Sequence, residues 1–219
     1  MKRNITLEEI TDGKIYGLND MVKADCLDCR GCSDCCRGMG NTISLDPLDI
    51  HRLKRNLNMD FRELMAKCVE LSNIDGVMLP NLKMLEGKDR CVFLSGAGRC
   101  EIHSARPGIC RLFPLGRYYH DRTHSYILQV NECSNKNRSK IKVSKWIDTE
   151  NLNEFEEYID NWHFLIRDIQ DNIGKFSPSE HQKMNMKLLN LFFVMPFSEN
   201  EFYSQCSNRI ANMRNQFFI

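Results

Sequence analysis

The spacing of apolar residues in the last third of the chain predicts three helices. Apolar positions recur every three or four residues from Leu152 to Ile173, and Gly174 suits the end of a helix. Residues 177–180, Ser-Pro-Ser-Glu, fit a capping box that begins a second helix with proline in its first turn. A third helix is predicted after Ser198, and its apolar positions are Phe202, Cys206, Ile210, Met213 and Phe217.

Shorter elements are predicted before this helical segment. Asp46 suits the N-cap of a helix and Pro47 its first position. Asp60 begins another helix, whose apolar face includes Cys68 and Leu71. The remaining pattern predicts extended chain over residues 77–94, a helical turn at 107–112, and a hairpin of strands 116–120 and 125–130 across a turn at 121–124.

Together these elements predict an α+β fold that is mostly helical. We expect a cysteine-rich metal-binding domain with short strands and a hairpin over residues 1–135. A C-terminal helical extension of about three helices, residues 136–219, is expected to pack on it. The basic segment 136–145 is interpreted as a solvated connector between the two.

Cysteine spacing supplies the candidate chemistry. The chain has 11 cysteines, and five of them fall between Cys26 and Cys36. Two residues between cysteines let a tight turn direct both sulfurs at one metal ion. Cys35 and Cys36 are adjacent and project in different directions, so this pair could serve two centres or bridge two ions. A disulfide between neighbours would be strained.

Counting the remaining cysteines predicts two four-thiolate sites. Cys68 and Cys206 fall on apolar helix faces and are interpreted as core residues. Cys26 is left over, as a spare or an alternate ligand. The predicted metal ligands are Cys29, Cys32, Cys35, Cys36, Cys91, Cys100, Cys110 and Cys133. Ligation by thiolates alone favours an iron–sulfur cluster, 4Fe–4S above all, over zinc. A thiol redox device without metal is the third alternative.

Charge and hydropathy exclude some classes of partner. The net charge of +1 provides no field that would attract nucleic acid. The N-terminus has no apolar core of signal-peptide length, and no apolar run is long enough to span a bilayer. We therefore expect a cytoplasmic protein without a membrane partner, in which cysteines serve metal or redox chemistry.

Three arginines flank the later cysteines. Arg106, Arg111 and Arg117 could offset the negative charge of the thiolates or bind an anionic cofactor or substrate group. The alternative is that they form ordinary structural ion pairs. His103 is a weaker candidate for a metal ligand, because nitrogen ligands are rare beside so many thiols.

These blocks together resemble the YkgJ-type cysteine-cluster family, whose members are described as zinc- or iron-chelating proteins. The likeness covers about residues 25–135. It rests on the motifs Cys29-x2-Cys32-x2-Cys35-Cys36-Arg37-Gly38, Asp46-Pro47-x-Asp49-Ile50, Cys91-x-Phe93-Leu94, Cys100-x-Ile102-His103-x2-Arg106-Pro107-x2-Cys110-Arg111-x-Phe113-Pro114, and Cys133.

The resemblance implies metal binding and suggests one enzymatic alternative. A relative of this family, the flagellin lysine N-methylase, would imply S-adenosylmethionine as cofactor and a protein as substrate. No glycine-rich nucleotide loop of the usual methyltransferase kind accompanies the cysteines. The sequence predicts a cytoplasmic iron–sulfur protein with a redox or protein-modifying role. A zinc protein and a methylase-like enzyme are the alternatives, and whether the chain is an enzyme stays open.

Overall fold

A computed structural model describes residues 7–26, 33–85, 87, 89–130, 132–135 and 137–217. Its helices are α1 (Leu7–Ile10), α2 (Pro47–Leu57), α3 (Phe61–Lys67), α4 (Gly108–Leu112), α5 (Val143–Ile147), α6 (Leu152–Asn172), α7 (Pro178–Leu189) and α8 (Phe202–Phe217). Its strands are β1 (Thr11–Tyr16), β2 (Met21–Asp25), β3 (Val69–Ile74), β4 (Val77–Leu82), β5 (Met84–Leu85), β6 (Arg90–Cys91), β7 (Leu115–His120), β8 (Thr123–Gln129) and β9 (Ser139–Lys142). The predicted α+β, mostly helical fold with helices at the C-terminus is confirmed.

Side-chain caps fix where three of the helices begin. The carboxylate of Asp46 accepts a hydrogen bond from the Asp49 backbone N–H at 2.9 Å, and Asp49 accepts one from the Asp46 N–H at 3.1 Å. The same reciprocal box opens α3 at Asp60 and α7 at Ser177. Each box satisfies backbone donors that a helix start would leave without partners. These starts are as predicted.

The predicted extent of α3 is wrong. Lys67 is its last residue, and Leu71 belongs to strand β3 instead of the helix face. β3 pairs with β4 across Asp75 and Gly76, which both have positive φ angles of 50° and 89°. That tight turn commits the residues before it to a strand. Cys68 is buried, as its place in the pattern predicted.

The predicted hairpin is present with a shorter turn. β7 and β8 are antiparallel and are joined by Asp121 and Arg122, which have φ angles of 45° and 63°. Two central residues with positive φ match the twist of the flanking strands, so the strands extend further than expected. β1 adds to the other edge of β8, pairing Thr11 with Gln129 and Tyr16 with Tyr126.

Two compact units are interleaved along the chain. Met1–Ile43 and Leu82–Glu150 form the first, which we call the cysteine unit. Ser44–Asn81 and Asn151–Ile219 form the second, which we call the helical unit. The predicted domain boundary at residue 135 stays a prediction. None of the described helices is long and apolar enough to cross a membrane.

Each unit has its own apolar core. In the helical unit, Leu165, Ile169, Met184 and Leu188 of α6 and α7 are fully buried, and Ile169 is one of the apolar positions predicted between Leu152 and Ile173. Cys206 of α8 is also fully buried there, as predicted. In the cysteine unit the core is formed mainly by strands, with buried Val22, Ala24, Leu115, Tyr126 and Leu128.

Candidate metal centre

A short 3₁₀ turn, Asp34–Cys36, presents the two adjacent cysteines. The Cys36 N–H donates to the Ser33 carbonyl at 2.9 Å, which closes the turn. Just beyond it, the Gly38 N–H donates to the Asp89 carbonyl at 3.0 Å. The backbones of Arg37 and Arg90 also pair in an isolated antiparallel β-bridge. These bonds hold the turn beside β6, whose last residue is Cys91.

A second tight turn and a helix bring two more cysteines to the same region. Ser95 accepts a backbone hydrogen bond from Gly98 at 3.1 Å, and Gly98 has a φ of 73°, which favours glycine. The turn leads into Cys100, whose backbone pairs with that of Leu94 in an isolated antiparallel β-bridge. Cys110 lies on α4, whose last carbonyl, that of Leu112, accepts a hydrogen bond from the Trp146 indole at 2.9 Å.

Five thiols line one cavity of about 60 Å³ in the cysteine unit. They come from four separate segments: Cys35, Cys36, Cys91, Cys100 and Cys110. Arg99, His103 and Arg106 also line it, and no Asp or Glu is among the described residues that do. At about 30 Å³ per water molecule, the space suits a small group and not a large organic ligand.

Cys35 and Cys36 shift each other's pKa in opposite directions. A hydrogen bond to Cys36, followed by burial, raises the pKa of Cys35, and the same bond lowers the pKa of Cys36. The bond therefore favours the proton on Cys35 over the proton on Cys36. Smaller opposing influences on the pKa of Cys36 come from burial and from Cys91, Cys110 and Cys100, which line the same cavity.

Arg106 supplies positive charge beside the thiols. Burial raises the pKa of Cys100, while a backbone hydrogen bond from Ile102 and the charge of Arg106 oppose that rise. The Arg106 guanidinium also lies 3.1 Å from His103 Nε2, and because Arg106 is always a donor, this nitrogen accepts. The Arg106 Nε is buried and has no hydrogen-bond partner among the described residues.

The other predicted site residues lie elsewhere or outside the described chain. Cys29 and Cys32 fall in the part of the chain that the structure does not describe. Cys133 is half-buried, with its Sγ 4.0 Å from the Asn135 carbonyl oxygen, and is not among the described residues lining the cavity. Arg111 donates to the Ser104 carbonyl at 2.7 Å, and Arg117 lies in strand β7 opposite Tyr126.

Cys26, which the count of eight left over, directly follows β2 and is 5% exposed. It is not among the described residues that line the cavity, and its influence on the pKa of Cys35 is minor. Its role as a spare or an alternate ligand stays a prediction.

The donor set fits a thiophilic metal. Thiolates suit zinc and iron–sulfur clusters, whereas calcium and magnesium prefer oxygen ligands. Over the described ranges, which omit Cys29 and Cys32, no group of three or more His, Cys, Asp or Glu side chains has the arrangement of a complete metal site. The fit therefore rests on the five thiols around the cavity and on the buried Arg106 donor.

Comparison with protein families decides the assignment. A family model named CxxCxxCC, described as a "Putative zinc- or iron-chelating domain", matches residues 28–138, half of the chain. The chain belongs to this family. The match includes all eight predicted ligands and confirms the resemblance to a cysteine-cluster family, and it supports a metal-binding protein. No curated protein and no solved structure was found to match the chain.

The residues just outside the family domain are paired with each other. β2 precedes the matched region and β9 follows it, and the two strands are antiparallel, with Val22 opposite Ile141. The Ser139 hydroxyl also donates to the Asp25 carboxylate at 2.9 Å. This ribbon closes the two ends of the domain and sets the position of Cys26.

Proposed function

We propose that the cysteines of the family domain hold an iron–sulfur centre, with 4Fe–4S as the expected cluster. The proposed ligands are Cys29, Cys32, Cys35, Cys36, Cys91, Cys100, Cys110 and Cys133. The observation that carries the proposal is the convergence of five thiols on one cavity without a carboxylate among its described lining residues. When bound, such a cluster supplies one-electron transfer, which suits a redox role. We propose a redox or protein-modifying role, in the cytoplasm.

The thiols divide into two groups in this proposal. Cys91, Cys100 and Cys110 each act on the pKa of Cys36, and all four thiols line one cavity, which supports assigning them to one four-thiolate centre. The pKa of Cys35 is raised by its hydrogen bond with Cys36 and, to a smaller extent, by Cys26. We assign Cys35 to the second centre with Cys29, Cys32 and Cys133, so that the adjacent pair serves two centres.

Arg106 has the role of a charge-compensating residue. Four thiolates give a centre a large negative charge, and a buried guanidinium offsets it while donating hydrogen bonds to sulfur. The buried Nε of Arg106 at the cavity supports this role. Arg111 and Arg117 stay proposed contributors to the positive surroundings of the cysteines.

The proposal is tested by metal analysis of protein purified without oxygen. Iron and acid-labile sulfide in comparable amounts, with broad visible absorption, are the expected result. A colourless protein with stoichiometric zinc would select the zinc alternative, in which the metal stabilises the fold without redox chemistry. A folded protein that contains neither metal would refute both forms of the proposal.

The methylase-like alternative has a separate test. It requires S-adenosylmethionine to bind with most of the molecule outside the cavity of about 60 Å³, and Arg106 at the cavity is the residue that would receive its carboxylate. Calorimetry with S-adenosylmethionine on the metal-loaded protein measures this directly. The absence of heat would remove the methylase role and leave the metal centre unaffected.

A further inference from the structure

The helical unit contains a cavity with one basic wall and one apolar wall. Its volume is about 280 Å³, at the lower end of the ~300–1,000 Å³ found for small-molecule sites. His51, Lys54 and Arg55 of α2 form the basic wall, and Met195 and Phe197 belong to the apolar wall. We call this cavity the α2 pocket.

The basic wall carries surplus positive charge. Spacings of three and four residues place His51, Lys54 and Arg55 on one face of α2. Arg55 is paired with Glu199 at 2.9 Å, which is the acidic residue among the described pocket residues. Lys54 donates to the Val194 carbonyl at 3.3 Å, and an ammonium group has two further N–H donors. Asp60 and Arg209 act on Lys54 from outside the lining, and with both included the cations still exceed the acidic groups by one.

His51 and Lys54 are partly removed from water, whereas Arg55 is exposed. Burial lowers the pKa of Lys54, and burial followed by the charges of Arg55 and Lys54 lowers the pKa of His51. Both directions mean that positive charge is disfavoured in the pocket as it stands. An anion placed between these side chains would relieve that cost.

The apolar wall is held in place by structure around it. A π-helix, Asn190–Val194, ends α7, and π-helical turns are frequent at functional sites. The guanidinium of Arg209 lies 3.8 Å from the centre of the Phe197 ring and donates to the Met195 carbonyl at 3.2 Å and the Pro196 carbonyl at 2.6 Å. Met195 nevertheless remains 41% exposed, so it is available to a ligand.

We propose that the α2 pocket binds a small amphipathic oxyanion, an aromatic or branched aliphatic group that ends in a carboxylate or a phosphate. The oxyanion lies against Lys54 and Arg55 with His51 beside it. The apolar group lies against Met195 and Phe197. This site is independent of the cysteines and of the metal proposed for them.

Four probe compounds separate the two halves of this proposal. Benzoate and phenyl phosphate carry both groups, benzyl alcohol lacks the charge, and inorganic phosphate lacks the ring. Calorimetry measures affinity, and the NMR signals of the His51 imidazole report where the probe binds. We expect benzoate or phenyl phosphate to bind at least tenfold more tightly than benzyl alcohol or phosphate and to shift the His51 signals. Which of the two binds better distinguishes a carboxylate ligand from a phosphate ligand.

Matched lysine variants test the basic wall. Lys54→Met keeps the aliphatic stem and removes the charge, and we expect it to weaken binding of the better probe about tenfold or more, since a hydrogen bond to a charged group is lost. Lys67→Met, at an exposed lysine of α3 outside the pocket, should leave binding unchanged. If Lys54→Met does not fold, Arg55→Gln provides the same test. Absence of binding by both probes, equal binding of benzyl alcohol or inorganic phosphate, or equal loss in Lys67→Met would overturn the proposal.

Discussion

Two cysteine-to-serine substitutions with opposite expectations test whether the thiol cluster binds metal. Cys36→Ser removes a thiol at the cavity, whereas Cys206→Ser removes a thiol in the core of the helical unit. Cys206 is fully buried and is not among the described residues that line the thiol cavity, so no other cysteine of that cavity shares a site with it. We expect Cys36→Ser to lower the free energy of unfolding more in metal-loaded than in metal-free protein. Cys206→Ser should lower it by the same amount in both.

The magnitudes follow from burial and from binding linkage. Cys36 is partly exposed, so its substitution in metal-free protein should cost no more than about 0.5 kcal/mol. Cys206 is fully buried, and a buried serine hydroxyl in its place should cost about 1–3 kcal/mol. Zinc at a thousand times its Kd would stabilise the wild type by about 4.1 kcal/mol. If loss of a ligand weakens zinc binding about 100-fold, about 1.4 kcal/mol of this zinc-dependent stabilisation remains.

Denaturant unfolding of metal-free and zinc-loaded protein measures both effects. Zinc is the probe because a single ion adds reversibly to thiolates whichever metal the protein carries in the cell. Cys36→Ser should lose about 2.7 kcal/mol of the zinc-dependent stabilisation. Full zinc-dependent stabilisation in Cys36→Ser, or its loss in Cys206→Ser, would refute the assignment of the thiols.

Three further predictions concern the helical unit. Asn185→Ala should lower its free energy of unfolding by about 3 kcal/mol in urea titrations, because the Asn185 side chain accepts from the Met78 N–H at 2.7 Å and donates to the Gly76 carbonyl at 3.1 Å. Gly76→Ala should cost more than about 1 kcal/mol in thermal unfolding, because φ is 89° and the added Cβ would lie 2.7 Å from the Ile173 side chain; an unchanged midpoint would contradict this. Burial lowers the pKa of His51 in the folded protein. The stability contributed by neutral His51 is therefore complete above its unfolded pKa of about 6.5 and is lost as pH falls through the lower pKa of the folded state. Unfolding midpoints between pH 7.5 and pH 5 should therefore fall more for the wild type than for His51→Gln.

Local sequence signals predicted the local structure well. Capping residues such as Asp46, Asp60 and Ser177 mark helix starts because they satisfy nearby backbone donors, and no distant residue is needed. The end of α3 was missed because Leu71 continues the helical spacing, while the β3–β4 turn that decides its conformation lies further along. The π-helix was missed because apolar spacing alone does not distinguish it from an α-helix.

Long-range pairing could not be predicted in the same way. β1 pairs with β8 and β2 with β9 across more than a hundred residues, and no short motif encodes such partners. The thiol loop itself was apparent from spacing, and the family match bears out the domain that contains it. The burial of Cys26 directly after β2 depends on the β2–β9 ribbon, which the spacing of the cysteines does not reveal.

X-ray absorption at the iron and zinc edges of protein purified without oxygen tests directly whether the cysteines hold an iron–sulfur cluster, because it reports the metal and its ligand atoms in one experiment. We predict an iron signal with a shell of sulfur ligands at about 2.3 Å, the usual metal–thiolate distance, and a short iron–iron path. A zinc signal with the same sulfur shell would support metal binding by the thiolates but contradict the proposed iron–sulfur cluster. A shell of oxygen and nitrogen ligands around either metal would contradict the site itself.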